Sequence, residues 1–147
     1  APNTISAGYI EVNPGDLAAA GVARLAPVSK AAESEPVRHI EVACRFSDLD
    51  EDGYREKAAR KLLYILTAAM QSAWKDKDGV RIAKYLKLEY LEDSLNSDFF
   101  ENAEKIRSAK VDVDNGIVIF LGDRGKQVIK LDVKVNIELA RRDAQGF

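Results

Sequence analysis

The acidic segment Asp48-Leu-Asp-Glu-Asp-Gly53 contains the residues whose types and spacing come nearest to a known chemistry. Asp48, Asp50 and Asp52 are carboxylates at alternate positions, the ligand spacing of the first half of a calcium-binding loop. The twelfth position of such a loop carries a bidentate Glu, but Ala59 occupies it here. We therefore interpret the segment first as an acidic turn that caps a following helix, and only second as a divalent-ion site at the three aspartates.

The chain has few residues that could act as nucleophiles or bind a metal ion, because it contains one cysteine and one histidine. A single cysteine excludes an internal disulfide, and one histidine excludes most zinc sites. His39 would have to serve alone in any catalytic set, and no carboxylate–nucleophile pair can be assigned around it. Cys44 lies on the apolar side of a predicted strand, and it is therefore predicted to be buried and unreactive. We expect no enzyme and no cofactor.

Basic residues cluster in the predicted 122–134 hairpin: Arg124, Lys126, Lys130 and Lys134. A patch of this kind could contact nucleic-acid phosphates, but it has no interleaved aromatic side chains for base stacking. The net charge of −2 also gives no general attraction to nucleic acid or to an anionic membrane. A solvated sheet face is the favoured interpretation, and nucleic acid is not an expected partner.

A long helix is predicted over residues 54–75, between the acidic turn and Gly79. Its apolar residues form two adjacent stripes, which together are wider than packing on one sheet requires. Met70 and Trp74 lie in the second stripe.

Strict alternation over residues 128–140 predicts a strand of roughly 43 Å, far longer than an ordinary strand. Asn115-Gly116 predicts a hairpin before it, and the loop at 122–126 predicts a second. The strand between them, residues 117–121, is apolar on both faces and needs cover on both sides. The C-terminal third is therefore predicted to be a three-stranded antiparallel meander.

The remaining elements complete an expected α+β fold, an antiparallel sheet of four to five strands with the long helix packed across one face. Residues 37–46 alternate as a strand, residues 80–91 favour a strand slightly over a helix, and a short helix begins near Ser97. Residues 1–36 are predicted to be an extended arm and linker, with a short strand at 5–12 and a weak helix at 17–25. Residues 37–147 are predicted to form one domain.

Association is the function class that these patterns favour. We expect a non-enzymatic assembly or adaptor protein acting as a homo-oligomer, for example a structural component of a bacterium or phage. A second protein could bind the N-terminal arm. The alternative is a nucleic-acid or divalent-ion binding module using the 122–134 hairpin or the 48–53 loop. The first residues lack the features of a signal peptide, and no apolar run would span a bilayer, so a cytoplasmic location is expected. The predicted interface residues are Val133, Val135, Ile137, Leu139, Met70 and Trp74.

Overall fold

The computed structural model describes residues 5–7, 10–12, 22–27, 39–46, 53–74 and 77–146. Two short strands, β1 (Ile5–Ala7) and β2 (Ile10–Val12), pair with each other in an antiparallel manner. A five-stranded antiparallel sheet has the order β3-β4-β5-β6-β7. Its strands are β3 (Val22–Pro27), β4 (His39–Cys44), β5 (Ser108–Asp112), β6 (Ile117–Leu121) and β7 (Gln127–Asp132). The predicted α+β fold and its C-terminal meander are confirmed.

In the described part of the chain, four helices lie between β4 and β5, and one follows β7. They are α1 (Tyr54–Ala73), α2 (Lys77–Ala83), α3 (Leu88–Ser94), α4 (Ser97–Asn102) and α5 (Lys134–Ala144). Short 3-10 turns occur at Ala103–Lys105 and Asp123–Gly125. No helix in the described part of the chain is long and apolar enough to cross a membrane.

Helix α1 is the centre of the core, because every residue from 61 to 70 is buried. It packs on strands β3, β4 and β5 on one side and on α2, α3 and β1 elsewhere. Even Lys61 is buried, with its ammonium donating to the Arg45 carbonyl oxygen at 2.6 Å. The two apolar stripes are thus covered within one chain, and their combined width does not require a partner subunit.

Aromatic side chains join the sheet to the helical layer. The rings of Phe46, Phe99 and Phe120 lie with centroids 5.1 to 5.6 Å apart, in edge-to-face contacts. Such geometry matches the electron-rich face of one ring to the positive edge of another. The contact between Phe99 of α4 and Phe120 of β6 fixes which face of the sheet the helices cover.

Both predicted hairpins are present. In the first, the Asp112 carboxylate accepts hydrogen bonds from the backbone and side-chain nitrogens of Asn115, at 3.1 and 2.7 Å. Gly116 has φ +67°, and a Cβ there would collide with the Lys134 Cα. The turn therefore needs glycine for its conformation and for the close approach of the chain that leaves β7.

The predicted strand at 128–140 is wrong beyond Asp132, where the chain turns into α5. The Asp132 carboxylate accepts from the Lys134 backbone N–H at 2.9 Å, and the Val133 N–H donates to the Gly116 carbonyl oxygen. Val133, Ile137 and Ala140 are buried at spacings of four and three, a helical pattern hidden inside the alternation. Pairing with the five-residue β6 also limits the length of β7.

Two further predictions are corrected. Residues 80–91 contribute to α2 and α3 instead of a strand, since Ile82, Leu86 and Leu91 reach the core at spacings of four and five. The helix predicted at 17–25 is wrong at its C-terminal end, because residues 22–27 form β3. Pairing of β3 with β4 brings that part of the predicted arm into the sheet.

Candidate interaction surface

Strand β6 presents two different surfaces from five consecutive apolar residues. Val118 and Phe120 are 0% exposed beneath the helices. Ile117, Ile119 and Leu121 point the opposite way and are only half-buried. We call that second side, which keeps part of its apolar surface in solvent, the open face.

Charged residues flank the apolar stripe of the open face in two rows. Lys110 and Lys130 lie opposite Ile119 in the neighbouring strands. Asp112 and Asp132 lie opposite Ile117 in the same way. A lysine row therefore stands next to an aspartate row, with one isoleucine in the middle of each.

The two aspartates differ in how far they are available to a partner. Asp112 is buried and its carboxylate is occupied by the Asn115 turn. Asp132 is exposed although it accepts from the Lys134 N–H. Lys130 is exposed and forms no ion pair with any residue that the structure describes. The Lys130–Asp132 edge is therefore the accessible charged border of the open face.

A polar contact marks the opposite border. The Ser108 hydroxyl donates to the Glu41 carboxylate at 3.5 Å, across strands β5 and β4. Ala43, the neighbour of Ser108 in the register, is exposed. The apolar stripe thus lies between two polar margins, the arrangement typical of protein interfaces.

The residues predicted as an interface do not form one surface. Met70 is 0% exposed, and Val133 and Ile137 are buried in the same core. Val135 is 64% exposed on α5 and Leu139 is half-buried. The last of the set, Trp74, is 7% exposed, with its indole N–H donating to Asp114. Because residues 133–139 turn through a helix, they do not present the continuous apolar edge that the alternation predicted.

The basic residues of the predicted hairpin are also spread apart. Arg124 and Lys126 lie at the turn before β7, Lys130 lies within it, and Lys134 begins α5 beyond its far end. A strand rises about 3.3 Å per residue, so the two ends of β7 are roughly 20 Å apart. Asp123 at the same turn forms an ion pair with Arg107 at 3.5 Å. The geometry gives no concentrated basic patch.

Asp48, Asp50 and Asp52 of the acidic segment lie outside the described residues. Gly53, which follows them, has φ +69° and precedes α1. Within the described ranges, no group of three or more His, Cys, Asp and Glu side chains is arranged to hold a metal ion. The backbone of His39 lies in β4, where it pairs with Asp112.

Cys44 is buried, as its position on the apolar side of the strand predicts. It is 2% exposed on the helix-covered side of β4. Burial raises the pKa of its thiol to about 12, although the positive charge of Lys61 partly opposes this shift. A protonated, buried thiol is a poor nucleophile, so Cys44 is a packing residue.

Comparison with known proteins supplies no relative: no family model matches the sequence, and neither curated proteins nor solved structures give a match. The open face is therefore interpreted from its own geometry. Its sequence signal was the run Ile117 to Leu121, which is apolar at every position.

Proposed function

We propose that this protein is a non-enzymatic assembly or adaptor protein that associates with a second copy of itself through the open face. The half-buried stripe of Ile117, Ile119 and Leu121 is the observation that carries this proposal, because the alternate residues of β6 are fully buried. Sheets with one apolar stripe commonly pack face to face about 10 Å apart. Burial of the stripe would supply the main favourable free energy.

The charge pattern favours a second copy as the occupant. Consider a two-fold axis that lies between the two packed sheets, parallel to them, perpendicular to the strands and midway between the 117 and 119 rows. It places each row on the other row of the partner. Lys130 then faces the partner's Asp132, and Ile117 packs on the partner's Ile119. The same patch serves both subunits, as a two-fold interface requires. Opposite charges at the margin fix the register more than they add affinity.

This surface replaces the one inferred from the sequence. The long strand that would have projected to a neighbour ends at Asp132, and the wide helix is covered within the chain. The remaining support for association is that β6 is apolar on both of its faces. Binding of another protein by residues 1–36 stays a prediction, with residues 22–27 already paired in the sheet.

Site-directed cross-linking tests the proposed surface, because the only native thiol is buried. An Ile119→Cys variant should form covalent dimers with a short bismaleimide at micromolar protein. The matched control is Val135→Cys, an equally simple change at a residue that is 64% exposed on α5. The wild type, with Cys44 alone, reports the background.

Efficient dimer formation at position 119 with little at position 135 supports the open face. Equal yields at both positions would indicate collisional cross-linking and would overturn the proposal. An Ile119→Cys variant that remains monomeric while its melting temperature equals that of the wild type would overturn it as well.

A further inference from the structure

Trp74 connects three distant segments at the end of the sheet opposite the 122–126 turn. Its indole N–H donates to the Asp114 carboxylate at 3.0 Å, in the turn between β5 and β6. The guanidinium carbon of Arg141, on α5, lies 4.7 Å from the centre of the indole ring. Stacking on an indole holds a guanidinium in a defined plane and leaves its N–H edge free to bind.

Two adjoining clefts open beside this arrangement. The first, of about 410 Å³, has Val113, Gly116 and Ile137 as apolar lining and Asp114, Lys134, Glu138 and Arg141 as polar lining. The second, of about 450 Å³, is lined by Glu138, Arg141, Arg142 and Gln145. Glu138 and Arg141 belong to both. Both clefts are open to solvent.

The charges around the clefts favour an anionic ligand. Lys134, Arg141 and Arg142 are cationic and exposed, and none forms an ion pair with a described carboxylate. Of the two carboxylates, Asp114 already accepts the Trp74 N–H. Glu138 therefore stands as the main opposing charge at the boundary of the clefts.

We propose that the two adjoining clefts form one site, which binds the oxyanion group, a phosphate or a carboxylate, of a small ligand. Arg141 provides the principal contact through its N–H edge, because a guanidinium matches the two oxygens of such a group in a bidentate manner. Arg142 and Lys134 add positive charge, and Glu138 weakens binding by repulsion. The site is separate from the open face.

Intrinsic fluorescence gives a direct readout, because Trp74 is the only tryptophan in the chain. The protein is titrated with inorganic phosphate and, separately, with succinate, while sodium chloride keeps the ionic strength constant. A saturable change is expected with at least one of them. Saturation by phosphate alone assigns phosphate-bearing ligands, and saturation by succinate alone assigns carboxylates.

Three variants locate the binding. Arg141→Gln should weaken it at least about tenfold, the loss expected for a charge-assisted bidentate contact. Glu138→Gln should strengthen it severalfold, because a like charge is removed. Lys126→Gln, at the distant turn, is the matched control and should leave the affinity unchanged. Melting temperatures, followed by circular dichroism, show that each variant is folded.

The proposal is overturned if neither anion gives a saturable response at millimolar concentration. It is also overturned if Arg141→Gln binds as tightly as the wild type, or if Glu138→Gln and Lys126→Gln change the affinity equally. Because Arg141→Gln alters the surroundings of Trp74, isothermal titration calorimetry repeats the comparison without the fluorophore.

Discussion

The covered and open faces of the sheet receive similar residue types from β6 but have different surroundings. Val118 and Phe120 are fully buried, and Phe120 is enclosed by the rings of Phe46 and Phe99. Ile117 and Ile119 keep part of their surface in solvent, between a lysine row and an aspartate row. Apolar residues of one strand thus pack the core on one side and, in the proposed dimer, pack on a second copy on the other.

Truncation on each face should separate the two roles. Phe120→Ala should lower the free energy of unfolding by about 3–5 kcal/mol, because it leaves a cavity in the aromatic cluster. Ile119→Ala, one residue away, should cost about 1 kcal/mol or less in the monomer. Urea denaturation at submicromolar protein measures both. Equal losses would mean that the open face is covered within the chain.

The covered face should also have a pH dependence of its own. The Cys44 thiol has a pKa of about 12 in the fold, above the unfolded value of roughly 8.5. The unfolded chain therefore loses this proton first, so the stabilisation is complete below the unfolded pKa and is lost as the pH rises toward 12. Thermal melts between pH 8 and 11 should show a smaller decline for Cys44→Ala than for the wild type. Parallel declines would contradict the burial effect.

The smallest expected effect concerns the charged border of the open face. Lys130→Asp places like charges across the proposed two-fold axis and should weaken dimerisation severalfold, since exposed pairs contribute about 0.2–1 kcal/mol each. The double variant Lys130→Asp/Asp132→Lys restores opposite charges and should recover affinity, apart from the lost contact to the Lys134 N–H. Sedimentation equilibrium at low and high salt measures the dissociation constants. Absence of recovery would contradict the proposed register.

Two segments in which apolar and polar residues alternate show how much of the fold can be predicted from the sequence. Residues 39–44 form the strand that the pattern predicts, with Ile40, Val42 and Cys44 buried on one side. Residues 128–140 alternate just as regularly, yet only the part up to Asp132 is a strand. Val133 and Ile137 fit both this alternation and a helical spacing that continues to Ala140, and tertiary packing decides between the two.

The candidate sites were only partly predictable for a related reason. The both-sided apolarity of residues 117–121 was visible in the sequence, and so was the wide apolar surface of the long helix. Which of these surfaces the chain covers for itself depends on the packing of α2 and α3, which local patterns do not specify. The cleft beside Trp74 joins residues 74, 114 and 141, and no spacing rule relates positions so far apart.

The molecular mass in solution tests self-association through the open face most directly. Sedimentation velocity at micromolar concentration should give a dimer mass for the wild type and for Val135→Lys, the control on α5. Ile119→Lys should give the mass of one 16.2 kDa chain with an unchanged circular dichroism spectrum. A monomeric wild type, or an Ile119→Lys variant that remains dimeric, would contradict the account.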